Sequence, residues 1–198
     1  MDAWVWILIV IVVLVVLWLV WRQRQKQSSE QLKEQFGPEY ERAVRTKGGQ
    51  SGAESELRQR AKRRDKLEIR SLSPAAREGY ERSWLETQAT FVDEPVEALG
   101  NADRLVQEVM KERGYPVDDF EQRSADLSVD HPNVVSNYRS AHSTATKASS
   151  GEATTEEMRR AMQQYRSLFD ELLERSEARE ESDEGHEDPT EPTTERRS

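Results

Sequence analysis

The sequence predicts an all-α protein: a single N-terminal transmembrane helix, then a small soluble helical domain and a disordered acidic tail. Three observations support this prediction. Residues 3–21 are apolar and carry no charge. From residue 71 to residue 175, apolar side chains recur at helical spacing, and no stretch alternates apolar and polar residues as a strand does. Residues 176–198 contain almost no apolar side chain, which is typical of disorder.

The segment 3–21 is long enough to cross a bilayer. As a helix rising ~1.5 Å per residue it spans ~28 Å, close to the ~30 Å of the hydrocarbon core. Trp4 and Trp6 stand at one end and Trp18 and Trp21 at the other, as in the aromatic belts of membrane–water interfaces. No basic n-region or small-residue cleavage site is present. We therefore expect an uncleaved signal-anchor, with the lipid bilayer as a partner.

The charges beside this segment predict its orientation. Arg22, Arg24 and Lys26 follow it directly, and no Lys or Arg precedes it. Basic residues favour the cytoplasmic flank of a membrane span. We expect residues 1–2 outside and the whole C-terminal domain in the cytoplasm.

The charge of the chain changes along its length. The protein has a net charge of −9 and no Cys, so disulfides and Cys-zinc sites are excluded. Residues 22–70 carry 14 Lys and Arg against 8 Asp and Glu, whereas the tail 176–198 carries 3 against 9. We divide the chain into a basic juxtamembrane region, 22–70, a helical domain, 71–175, and the acidic tail.

The sequence of the juxtamembrane region predicts helices separated by glycines. Gly37 can end one helix and Pro38 can begin the next. The Gly- and Ser-rich residues 46–55 predict a flexible break. Residues 54–70 have strong helix formers but a narrow apolar face, which predicts a solvated basic helix.

The domain 71–175 predicts about five helices from its capping signals and apolar stripes. Ser73 and Pro74 begin the first, and Gly114 ends the second. The pairs Asp118 with Glu121 and Thr154 with Glu157 resemble capping boxes, and Pro132 predicts a helix start. The last helix has the clearest apolar stripe: Met158, Ala161, Met162, Tyr165, Leu168, Phe169, Leu172 and Leu173.

The segment 118–138 is the candidate functional region because it is unusually polar between two apolar helices. We expect a surface that binds an unknown protein partner. The main alternative is a membrane-anchored enzyme of unknown class, with these side chains gathered around a pocket. No motif assigns a catalytic residue, a metal site or a cofactor. The expected interaction residues are Arg123, Asp126, Asp130, His131 and Tyr138.

The basic run 58–66 has three readings. It can be a solvated helix face, a contact with anionic lipid, or a nucleic-acid site. The lack of interleaved aromatic residues and the acidic domain argue against nucleic acid. The residues expected at lipid are Arg58, Arg60, Lys62, Arg63 and Arg64.

Several stretches resemble an uncharacterised family of bacterial membrane-anchored helical proteins. They are "QLKEQFGPEYERAV" (31–44), "LEIRSLSPAAREGYERSWLETQATFVDEP" (67–95), "ADRLVQEVMKERGYPVDDFEQRSADLSVDHPNVVSNYR" (102–139) and "AMQQYRSLFDELLE" (161–174). The resemblance implies a bacterial source, hence the inner (plasma) membrane, and an ordered segment 114–132. It brings no assigned activity.

Overall fold

The computed structural model describes Trp4, Val13, Val16 and residues 29–184, with side chains described as far as residue 174 in the last helix. Its described residues form helices and no strand, which confirms the all-α class. None of the helices within them is both long and apolar enough to cross a membrane. Apart from Trp4, Val13 and Val16, the predicted span 3–21 lies outside the described residues. Its basic flank, Arg22, Arg24 and Lys26, lies outside them as well.

Within the described residues, seven helices follow the helical residues 29–36. They are α1 (Pro38–Lys47), α2 (Gln50–Arg64), α3 (Pro74–Thr90), α4 (Pro95–Glu112), α5 (Phe120–Asp130), α6 (Val135–Ser149) and α7 (Thr155–Glu184). The chain divides into two compact units. Unit 1 comprises residues 1–66 and 125–133, and unit 2 comprises residues 67–124 and 134–198. Helix α5 therefore contributes its first residues to unit 2 and its remaining residues to unit 1.

In unit 1, helices α1 and α2 form a hairpin. Gly37 has φ 44° and Pro38 opens α1, as predicted. Gly48 adopts the left-handed conformation that ends α1, and its N–H donates to the carbonyl of Val44. The core of the hairpin is small: Leu32, Phe36, Tyr40, Ala43, Ala53 and Leu57.

The flexible break predicted at residues 46–55 is wrong. Only Gly48 and Gly49 separate the two helices, because α1 ends at Lys47 and α2 begins at Gln50. Packing overrides the weak helix propensity of Ser51 and Gly52 because Ala53 and Leu57 are fully buried in the hairpin core. The helix expected over 54–70 also ends earlier, at Arg64.

In unit 2, α4 packs against α3, α6 and α7, and α6 packs against α7. Trp84 of α3 stacks on Phe169 of α7 with ring centroids 4.8 Å apart. The stripe predicted on α7 is buried throughout. Other core side chains are Leu99, Val106, Val109 and Met110 of α4 and Tyr138 and Ala141 of α6.

Two predicted helix starts in unit 2 are confirmed. The hydroxyl of Ser73 accepts from the N–H of Ala76, ahead of Pro74 in the first turn of α3. Thr154 and Glu157 form a reciprocal capping box, because each backbone N–H donates to the other side chain.

Other predicted boundaries need correction. Asp119, not Asp118, caps α5: its carboxylate accepts from the N–H of Gln122. Pro132 lies in a turn, and α6 begins three residues later at Val135. Helix α7 continues to Glu184, into the segment predicted as a disordered tail, because Glu, Arg and Ala after residue 175 are good helix formers. Residues 185–198 lie outside the described part.

Gly114 is a position where only glycine fits. Its φ is 94°, and a methyl group there would lie 2.5 Å from the carbonyl oxygen of Glu68. We expect Gly114→Ala to lower the free energy of unfolding by about 1–3 kcal/mol, the usual cost of a strained backbone. Urea titration followed by circular dichroism measures the change.

The control is Gly100→Ala in the interior of α4, where an added methyl group meets no described atom within 4 Å. It should raise stability by about 0.5–1 kcal/mol, because alanine favours the helix over glycine. Equal effects of the two substitutions would contradict the role assigned to Gly114.

Candidate functional site

The basic run 58–66 contacts acidic residues of its own chain. Arg60, Arg63 and Arg64 lie three and four residues apart, so α2 presents them on one side. In unit 1 this side meets residues 125–133. The Nε of Arg63 donates to Asp126 at 3.4 Å, and the Nε of Arg64 donates to both carboxylate oxygens of Asp130 at 2.8 Å. We call these residues, with Glu39, Glu56 and Ser128, the arginine cluster.

Arg60 is the buried centre of the arginine cluster. Its side chain is 9% exposed, and Glu39, one of its partners, is 2% exposed. The guanidinium donates to Glu39 and Glu56, each at 3.2 Å, and to the hydroxyl of Ser128 at 3.3 Å. Two carboxylates and a hydroxyl thus satisfy a charge that could not be buried alone.

A second carboxylate, Glu54, is buried at the other end of α2. It accepts hydrogen bonds from Tyr40 at 3.2 Å, Gln50 at 2.8 Å and Arg58 at 3.0 Å. Burial alone would raise the pKa of Glu54, but the hydrogen bonds and the charge of Arg58 outweigh it. The pKa of Glu54 is therefore held below its usual range, and the residue stays ionised inside the hairpin.

These contacts correct the reading of 58–66 as a solvated face. Of the five residues expected at lipid, Arg58, Arg60, Arg63 and Arg64 each contact a carboxylate of the protein, while Lys62 is exposed. The sequence carried no sign of this pairing, because Asp126 and Asp130 lie more than sixty residues further along the chain.

Unit 2 holds a separate polar group around Asp103, which we call the Asp103 cluster. The Asp103 carboxylate accepts from Tyr165 at 3.0 Å and from Gln107 at 2.7 Å, and the Nδ1 of His142 lies 3.4 Å away. Arg123 extends the cluster by donating to Gln107 at 3.1 Å.

Aromatic rings enclose the Asp103 cluster. The ring of His142 stacks on Phe120 at 3.8 Å between centroids, and the Arg123 guanidinium lies over the rings of Phe120 and Tyr138. Arg123 also donates to the carbonyl of Val117 at 2.6 Å, which ties the chain before α5 to the helix itself.

The Asp103 cluster is built around an ionised carboxylate. Burial alone would raise the pKa of Asp103, but His142, Tyr165 and the charge of Arg123 outweigh it and hold that pKa below its usual range. Burial, followed by the charge of Asp103, raises the pKa of the Tyr165 hydroxyl well above its ordinary value. Tyr165 therefore serves as a donor at neutral pH.

The structure divides the five predicted interaction residues between the two units. Asp126, Asp130 and His131 belong to unit 1, and Arg123 and Tyr138 belong to unit 2. Four of them are buried, and the Asp130 side chain is 17% exposed. The described side-chain contacts of Arg123, Asp126, Asp130 and Tyr138 join different helices. The residues that sequence reasoning missed are Glu39, Glu54, Asp103 and Tyr165.

The described residues of unit 2 also line two grooves. One, of about 410 Å³, lies between α3 and α7 and is lined by Trp84, Leu85, Phe169 and neighbouring charged residues. The other, of about 490 Å³, includes Tyr80, whose hydroxyl donates to Glu112 at 2.6 Å. Neither is lined by any of the five predicted residues. Within the described chain, no three acidic or histidine side chains converge as metal ligands.

No protein-family model, no curated protein and no solved structure matches the chain. The resemblance to a bacterial membrane-anchored family therefore stays a prediction.

The arginine cluster should show strong coupling between Glu39 and Arg60. Glu39→Gln and Arg60→Gln should each destabilise unit 1, because each leaves a buried charge with fewer partners. The double variant should lose less than the sum, with a coupling of about 0.5–3 kcal/mol in urea unfolding. The control cycle uses the exposed pair Glu78 and Arg82, whose coupling should be about 0.2–1 kcal/mol. Additive losses at Glu39 and Arg60 would contradict the pairing.

The Asp103 cluster should make unit 2 sensitive to acid. Because folding lowers the pKa of Asp103, its contribution is complete above the unfolded pKa and is lost as pH falls below about 4. At neutral pH, Asp103→Asn should have a lower melting temperature than wild type. On acidification, the melting temperature of Asp103→Asn should fall by less than that of wild type. Asp93→Asn, in an exposed turn, serves as the control. Parallel pH profiles for wild type and Asp103→Asn would refute this role.

Proposed function

We propose that this chain is a single-pass protein of the bacterial inner membrane that holds a helical interaction domain at the cytoplasmic face. The observation that carries the proposal is the uncharged segment 3–21, with two Trp at each end and three basic residues directly after it. Such a segment gains several kcal/mol by inserting into lipid, at about −0.3 to −0.6 kcal/mol per large aliphatic residue.

The polar interior supports a binding role over a chemical one. The Asp103 carboxylate is occupied by Tyr165, Gln107 and His142, and the arginines of α2 are occupied by carboxylates. These groups hold helices in place. Neither an enzyme using the segment 118–138 nor nucleic-acid binding through 58–66 gains support from a specific contact.

The surface that supports a protein partner lies elsewhere in unit 2. Leu85 of α3 is 63% exposed and Val92, in the turn after it, is 82% exposed. Val96, in the first turn of α4, is 46% exposed. Contiguous apolar patches on a surface mark binding sites, and these three are the exposed large apolar side chains among the described residues of unit 2. We assign the unknown protein partner to this stretch.

The anchor and its orientation can be tested because the chain has no Cys. Ser150→Cys places a thiol at an exposed position after α6, and Asp2→Cys places one before the apolar segment. A membrane-impermeant maleimide should label Asp2→Cys in cells whose inner membrane is intact. It should label Ser150→Cys only after that membrane is permeabilised.

Deletion of residues 1–21 is the matched control for the anchor. The full chain should stay in the membrane fraction through alkaline extraction, and the deletion variant should be released. Release of the full chain would refute the anchor. Labelling of Ser150→Cys in intact cells would reverse the proposed orientation and place the partner outside the cytoplasm.

A further inference from the structure

Unit 1 combines two distant pieces of the chain, residues 29–66 and 125–133, and polar contacts supply much of what joins them. Asp126 and Asp130 are one helical turn apart on α5, and each contacts one of two consecutive arginines on α2, Arg63 and Arg64. Val129 adds an apolar contact with the hairpin core. Two ion pairs therefore help to join the two pieces, and another anion can take the place of either carboxylate.

We propose that Asp126 and Asp130 mask a binding site for anionic lipid headgroups, formed by Arg63 and Arg64. This inference rests on the proposed function, because it requires the hairpin to be tethered near a membrane. In the masked state the two arginines hold the chain's own carboxylates. In the open state residues 125–133 leave α2, and the same guanidinium groups bind lipid phosphates.

The geometry selects Arg63 and Arg64 over Arg60. Arg60 has Glu39 and Glu56 as partners within residues 29–66, so it stays compensated when residues 125–133 leave. Asp126 and Asp130, which accept from Arg63 and Arg64, both belong to the departing segment. The Arg63 and Arg64 side chains are also 38% and 23% exposed while masked, so part of each already faces solvent.

The chemistry of the site fits a phosphate as well as a carboxylate. A guanidinium group offers a planar set of N–H donors that suits either anion. Exposed Lys62 and Lys66 flank the two arginines and would add to the attraction of an anionic surface. Tethering favours lipid over a dissolved anion, since the hairpin begins at Pro38, within about twenty residues of the predicted span 3–21, and stays concentrated near the bilayer.

The test uses the full chain in lipid nanodiscs. Gln59→Cys, an exposed and uncharged position one turn before Arg63, carries a fluorophore. Lipids with a headgroup quencher report its contact with the membrane, in discs of phosphatidylcholine with or without phosphatidylglycerol. The labelled chain with native Asp126 and Asp130 should show little quenching in both. Asp126→Asn with Asp130→Asn should shift the contact equilibrium roughly tenfold toward the membrane, in the anionic discs alone.

Matched variants separate unmasking from other effects. Adding Arg63→Gln and Arg64→Gln to the unmasked variant should abolish the quenching. Glu86→Gln with Glu152→Gln removes the same amount of charge from exposed positions in unit 2 and should leave quenching low. Exchanging the ion pair, as Arg64→Asp with Asp130→Arg, should keep the site masked and the quenching low. This variant also tests whether the fold tolerates altered charge at these two positions.

The outcomes that overturn the inference are distinct. Strong quenching of the chain with native Asp126 and Asp130 in anionic discs would mean that the arginines are not masked. If the unmasked variant showed an equal rise in quenching in discs without phosphatidylglycerol, the effect would be apolar insertion. If the Glu86 and Glu152 variant showed an equal rise in anionic discs, the effect would be one of net charge. Failure of the full chain to co-elute with the discs would refute the anchor itself, independently of the masking.

Discussion

Arg60 is a positive charge inside a small helical hairpin, and its compensation shapes unit 1. A guanidinium group loses its hydration on burial and must regain it from acceptors close by. Glu39 of α1 and Glu56 of α2 supply charge, and Ser128 supplies a further oxygen from the second piece of the chain. These acceptors tie α1, α2 and residues 125–133 together, where the apolar core alone is small.

Unit 2 holds a charge of the opposite sign, the partly buried carboxylate of Asp103. Its donors come from three helices, with Gln107 on α4, His142 on α6 and Tyr165 on α7. Arg123 then links this group to the start of α5. In a chain with 34% charged residues, both units use buried polar contacts to specify which helices meet, a role that a few apolar side chains fill poorly.

The sequence predicted the helices better than it predicted the contacts between them. Ser73, Gly114 and Thr154 act on neighbouring residues, so their capping signals could be recognised locally. The stripe on α7 was visible because burial follows the helical period. The basic run 58–66 and the segment 118–138 were both noticed, but as separate surfaces. Their pairing depends on residues more than sixty positions apart, and helical periodicity carries no information at that distance.

Pairing over long sequence distances also explains why the segment 118–138 resembled a functional surface in the sequence. Dense Asp, Arg and His between apolar helices indicates function when the groups face a cavity, but here Arg123, Asp126 and His131 are buried. Asp126 and Asp130 of α5 pair with arginines of α2, and Arg123 donates to Gln107 of α4. A functional surface must then be sought where charges can exchange partners or where apolar groups stay exposed. For this chain those places are the partly exposed Arg63 and Arg64 and the apolar stretch from Leu85 to Val96.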